Sequence, residues 1–179
     1  MSTKSRGSAA PWLDAREETA WRALRRMTVA VRMATVRDLA ETGLSEPDYE
    51  VLSTLAEQPD FTSTLHKQAA KMGWSRSRLS RHASRMEARG LIRRTPDPAD
   101  GRGCLVVLTR QGTDALRAAT PVHLESVRRH FADLLDADDL EDLTRVSNKI
   151  VAASYAHGIE PERGEGVIAQ PNAPRVRRE

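Results

Sequence analysis

Apolar positions along the chain fall into runs of helical or strand-like character separated by breakers, and each run marks an element. From Trp12 to about Glu41, residues Trp21, Leu24, Met27, Val31 and Ala34 recur every three or four positions, which predicts one long helix with a single apolar stripe. Thr42-Gly43 ends it. Ser45 then precedes a second helix, with Asp48 three positions on as a reciprocal cap and Leu52, Leu55 and Ala56 on the inner face, until Gln58-Pro59-Asp60 stops it. Leu65, Ala69 and Met72 stripe a short third helix, and Gly73 supplies the left-handed residue that a sharp turn between helices needs. Ser75 is the expected N-cap of a fourth helix running to Arg89, where Gly90 breaks it. The pattern then shifts to strands: LIRRT and CLVVLT flank PDPADGRG, a stretch whose Pro, Asp and Gly mark a turn, so a β-hairpin is expected. A fifth helix starts near Thr109 and carries Leu116, Leu124, Val127, Phe131 and Leu135, with Pro121 expected to kink or split it. Asp138 is expected to cap a sixth with Leu140, Leu143, Val146 and Ile150 on one side.

Helix, tight turn, helix, hairpin is the order of a winged helix-turn-helix. The predicted fold is therefore mainly α with a small β-hairpin wing, a winged helix-turn-helix lobe over about 44–110 and a helical region from about 12–42 and 110–155. At 179 residues one folded unit is expected, spanning 12–155, with disordered tails at 1–11 and 156–179. The single cysteine leaves no internal disulfide, and no apolar run resembles a signal peptide or membrane span, so the expected location is cytoplasmic with no membrane partner.

A formal net charge of +3 says little until its distribution is read. From Thr64 to Arg102 there are ten basic residues against three acids, while the rest of the chain is net acidic. Positive charge concentrated on one module is the footprint of a phosphate-facing surface.

The fourth helix sharpens that expectation. Stepping about 100° per residue from Leu79 places Ser75, Ala83 and Met86 in the arc packed on the domain. Ser77, Arg81 and Ser84 fall opposite, Arg78, Ser80 and Arg85 on the flanks, and Arg76 and His82 near the boundary. Serines permit close approach and arginines reach base edges, guanine O6 and N7 above all. Arg81 is the first candidate for base reading, Arg78 or Arg76 the second, and each arginine has phosphate contact or plain solvation as its alternative. At the hairpin tip Asp100 is expected to hold the loop while Arg102, between glycines, enters a minor groove; an ordinary flexible turn is the alternative.

These residues carry a family resemblance. LSEPDYEVLSTL, GWSRSRLSRHASRMEARGLIRR and DPADGRGCLVVLTRQG resemble the MarR transcriptional regulators over about Leu44 to Gly112. The resemblance implies a homodimer built by the first, fifth and sixth helices, acting as a repressor on a palindromic operator in double-stranded DNA. It places DNA contacts on Ser75, Arg76, Ser77, Arg78, Ser80, Arg81, Ser84 and Arg85, with Asp100 and Arg102 at the wing. Such regulators commonly respond to a small-molecule effector, and Trp21, Tyr49, Trp74 and His123 are the candidates for its site; aromatics at helical spacing are otherwise core or interface. The resemblance implies no cofactor or metal.

Cys104 opens the second hairpin strand, away from the N-terminal cysteine of peroxide-sensing relatives, and is expected to be buried and inert. Two other function classes compete with this reading. An enzyme lacks support, because the five histidines are scattered and neither HExxH, GxSxG, CxxC nor a phosphate loop occurs; His123 and His130 share a helix face, but a polar stripe fits better than a metal site. An architectural DNA binder without sequence preference is the remaining alternative.

Overall fold

The computed structural model describes residues 12–156, so the expectations for the two tails lie outside the described residues. The described residues form six α-helices and a three-stranded antiparallel sheet, in the order α1 (Ala15–Ala40), α2 (Glu46–Ala56), β1 (Thr62–Thr64), α3 (Leu65–Lys71), α4 (Arg76–Ala88), β2 (Ile92–Asp97), β3 (Asp100–Leu108), α5 (Arg110–His130) and α6 (Ala137–Ala156). The mainly helical winged architecture is the one the periodicity predicts.

Helix starts follow side-chain chemistry. Asp14 and Ser45 each make reciprocal capping boxes, with Glu17 and Asp48, and Thr64, Ser75 and Thr109 accept from the backbone N–H three residues on. The sixth helix corrects the expected cap: Asp136, paired with Asp139 through bonds of 2.8 and 3.3 Å, starts it. Asp138 lies in its first turn, where an acid complements the helix dipole without capping.

The turn between α3 and α4 is a Schellman motif. Gly73 has φ +62°, its N–H donates to Ala70 O at 3.0 Å, and the Trp74 N–H reaches back to Ala69 O at 2.8 Å. The backbone of Trp74 is thereby fixed immediately before Ser75 starts α4.

The sheet departs from the expected two-stranded hairpin. Its order is β1-β3-β2, with Thr62–Thr64 pairing Leu105–Val107 of the central strand. A three-residue strand is too short to leave a period in sequence. The hairpin strands also run further than expected, Pro96 lying opposite Cys104 and Asp97 opposite Asp100, so the loop narrows to Pro98 and Ala99. Pro96 is tolerated because β2 is an edge strand and its missing N–H faces no neighbour. Helix α5 runs unbroken through Pro121, against expectation; packing on α1 and α2 holds it across the missing hydrogen bond.

The core sits beneath α4 and between it, α2 and the sheet: Val51, Leu52, Leu55, Ala69, Leu79, Ala83, Met86, Ile92 and Val106 are buried together. The LT..G run closes one end. Thr109 Oγ1 donates to Gly90 O and Leu91 O, and a Cβ on Gly112 would lie 2.0 Å from Leu91 O. A side chain at Gly112 would force the start of α5 away from Leu91. Outside this lobe, burial is sparse. Leu39 is the one buried residue of α1, and between 137 and 154 nothing in α6 is buried.

Gly112→Ala is expected to lower stability by about 2 to 3 kcal/mol, the cost of forcing bulk into a packed contact. Urea unfolding of the two proteins measures it, and equal midpoints would remove the close approach from the account.

Candidate nucleic-acid interface

The face that α4 presents follows from what its other face buries. Leu79, His82, Ala83 and Met86 point into the core, and Arg76, Ser77, Arg78, Arg81, Ser84 and Arg85 are exposed, with Ser80 half-buried. Two positions differ from the angular reading. Ser75 is exposed rather than packed, because as N-cap it lies before the first helical turn, and His82 is buried rather than peripheral.

His82 is buried because it has a partner inside. Asp48, 2% exposed, accepts the Ser45 N–H at 2.9 Å and Arg89 Nη1 at 2.7 Å, and its Oδ1 lies 3.0 Å from His82 Nε2, off the direct line of a hydrogen bond. One carboxylate thus ties the start of α2 to two points of α4. Arg89 adds a second anchor, donating to Gly43 O at 2.8 Å. Burial opposes ionisation of Asp48, but the Ser45 N–H and the Arg89 guanidinium outweigh it and hold the carboxyl below its ordinary value.

On the solvent side His82 Nδ1 lies 2.9 Å from Arg85 Nη2. A guanidinium only donates, so Nδ1 accepts and the ring proton belongs on Nε2, facing Asp48. Burial, with Arg85 and Arg78 nearby, pushes the His82 pKa down against the pull of Asp48, which keeps the ring neutral around pH 7. Trp74 meets His82 edge-on with centroids 5.6 Å apart, and Arg78 stacks over the indole, 3.8 Å from its centroid. Pro47, Trp74, Arg78, Arg81, His82 and Arg85 line a groove of about 250 Å³ at this face.

The wing is locked to the same helix. Arg94 on β2 donates its backbone N–H and its Nε to the Glu87 carboxylate, both at 2.8 Å. The basic count in the sequence is reduced accordingly: Lys71 pairs with Glu57, Arg89 with Asp48 and Arg94 with Glu87, so at least three of the ten cations are spent within the protein. Two of those acids precede the counted segment, which is why sequence proximity hid them. At the tip the loop is held by Asp97, whose Oδ1 accepts the Ala99 N–H at 2.9 Å, rather than by Asp100 alone. Asp100 and Arg102 both lie on β3, at the turn.

The four effector candidates do not converge. Tyr49 and His123 stack with ring centroids 4.4 Å apart, Trp74 belongs to the α4 face, and Trp21 is 53% exposed on α1. His130 turns to Asp38, 3.0 Å away, so the two histidines of α5 serve different partners. Cys104 is half-buried, not buried.

Residues 44–104 match the MarR family. Over 110 residues the chain is 34% identical to the transcriptional regulator HosA of Escherichia coli O111:H-, covering 62% of this chain and 79% of that protein. The chain belongs to the MarR family. Its structure superposes on the MarR family regulator AbsC of Streptomyces coelicolor with TM-score 0.77 and 36% identity, covering 83% of this chain and 99% of AbsC. Sco3205 of the same organism, solved in complex with DNA, matches with TM-score 0.76 and 28% identity over 82% of this chain and 92% of that one. As a MarR family member the protein is a DNA-binding transcriptional regulator and not an enzyme. No described helix is long and apolar enough to cross a membrane.

Long-range nitrogen–proton correlation spectra should find His82 neutral at pH 7 with its proton on Nε2; a charged ring or the Nδ1 tautomer would contradict the geometry. Stability follows the same signs. Because the folded pKa of His82 lies below 6.5, its contribution is complete above that pH and declines as pH falls below it; Asp48, held below 3.8, retains its contribution until pH drops beneath that value. Urea midpoints recorded from pH 8 to 3 should therefore fall in two steps, the first smaller in His82→Gln, where His123, whose pKa burial also lowers, still contributes.

Proposed function

We propose that the protein is a homodimeric repressor that reads a palindromic operator in double-stranded DNA, with α4 of each copy in the major groove and the wing beside it, and that a small molecule releases it. The observation that carries this reading is the outward face of α4: serines and arginines, exposed, on a helix whose orientation is set through Asp48, His82 and Arg89. Ser75, Arg76, Ser77, Arg78, Ser80, Arg81, Ser84 and Arg85 are the contact residues, with Arg81 central, and Asp100 and Arg102 serve at the wing.

Support for the dimer comes from what the protomer leaves uncovered. Trp21, Leu24, Met27, Met33 and Val36 on α1 and Leu140, Val146, Ile150 and Val151 on α6 are exposed apolar side chains. A helix with nothing buried between 137 and 154 gains little from one protomer, and an isolated helix is marginal in water. Two-fold pairing of these helices would set the two α4 helices about 34 Å apart, one turn of B-form duplex. For the effector, support is slighter: solved MarR-fold proteins have been captured with small molecules, and His123 Nδ1, beside Tyr49, is enclosed without a hydrogen-bond partner.

Selection of bound fragments from a random duplex pool tests the reading. An inverted repeat with half-sites about ten base pairs apart is expected, and sedimentation should give twice the 19.9 kDa chain mass. Against that repeat, Arg81→Ala should cost about 1 to 3 kcal/mol and relax preference at one position per half-site, whereas Arg102→Ala should weaken binding evenly. Equal affinity for scrambled duplex would leave only a non-specific binder.

A further inference from the structure

We infer that Trp74 is a specificity-determining residue, acting through Arg78: its indole presets the guanidinium for one base edge before DNA arrives. The inference rests on the proposed placement of α4 in the groove and adds a division of labour among its arginines.

Three constraints converge on Trp74. Its backbone is fixed by the Schellman bonds around Gly73, its ring is packed against the core, and the His82 imidazole, itself held by Asp48, abuts it edge-on. The indole is therefore a rigid platform at the N-terminal end of α4, where a recognition helix enters the groove. Arg78 lies on that platform at 3.8 Å and is otherwise exposed. A guanidinium stacked by its face keeps its N–H donors in the plane, so stacking and a bidentate contact to guanine do not compete. Holding the side chain in advance removes part of the ordering cost that binding otherwise carries. Arg85 is also held, by His82 Nδ1, but that bond occupies one of its donors. Arg78 combines a fixed ring beneath it with an exposed side chain.

The test uses the full-length protein and a duplex selected by the wild type from a random pool, together with single-base-pair variants of that duplex and a scrambled one. Trp74→Leu is expected to lower affinity for the selected duplex about five- to tenfold, the scale of a cation–π contact that has also lost its ordering advantage. Affinity for scrambled duplex should change less than twofold, and base preference should collapse at one position per half-site. Arg78→Lys, which keeps the charge and loses the plane, should collapse preference at the same position, and Trp74→Phe should restore most of it. In an Arg78→Ala background Trp74→Leu should add nothing to the loss of discrimination.

Wild-type discrimination at every position in Trp74→Leu or Arg78→Lys would overturn the assignment. So would a loss in Trp74→Leu that persists undiminished in the Arg78→Ala background, since that marks a structural role alone. Should Trp74→Leu fail to fold, Arg78→Lys and Trp74→Phe carry the comparison. A wild type that binds scrambled duplex as tightly as selected duplex overturns the groove reading itself, whereas one that discriminates while the variants discriminate equally removes only the role of Trp74.

Discussion

A buried carboxylate determines how the exposed surface of this regulator is presented. Asp48 caps α2 through Ser45 and, with its remaining lone pairs, meets His82 and Arg89 on α4. An ionised acid at 2% exposure is costly unless every oxygen is partnered, so the three contacts stand or fall together. Because His82 lies within α4 and Arg89 is its C-cap, seven residues on, the two contacts fix the rotation of the helix about its axis as well as its position. The side chains on the far face inherit that rotation. Glu87 extends the same constraint to the wing through Arg94, so helix and hairpin move as one body.

Electrostatics divide accordingly between inside and outside. Lys71, Arg89 and Arg94 spend their charge on Glu57, Asp48 and Glu87, holding the lobe together. The arginines that face solvent from α4 do none of this work, and their neighbours there are serines whose small size costs no approach distance. His82 divides the two populations: neutral, it accepts from Arg85 on one side and turns its proton to Asp48 on the other. The terminal helices present the opposite surface character, an apolar stripe at 3.6-residue period with little beneath it in the same protomer.

Much of this was legible in the sequence because local rules dominate locally. Ser45 and Ser75 cap the helices they were expected to cap, the fifth helix starts at Thr109 as expected, and Gly73 takes the left-handed conformation its position demanded. The outward arc of Arg81, Ser77 and Ser84 follows from helical period alone. What escaped was long-range or too short. Asp48 reads only as a cap because its partners His82 and Arg89 lie 34 and 41 positions away; β1 leaves no signal because three residues hold no period; Pro121 reads as a breaker because the flanking helices that override it are distant in sequence. Ser75 was placed by an angle that does not apply before the first turn. For Trp74 the signal was an aromatic between Gly73 and an N-cap, which periodicity weighs as core, and only the stacking of Arg78 gives it a second role.

The claim that Asp48 orients the DNA-facing surface is tested most directly by the affinity of Asp48→Asn for its selected duplex, measured under conditions where circular dichroism confirms the fold. Asparagine keeps the volume and can still cap α2, but it cannot hold His82 and Arg89 with a charge. The account predicts that specific affinity falls about tenfold, on the scale of a lost charge-assisted hydrogen bond, while scrambled duplex binds as before. Wild-type affinity for the selected duplex in a folded Asp48→Asn protein would contradict it.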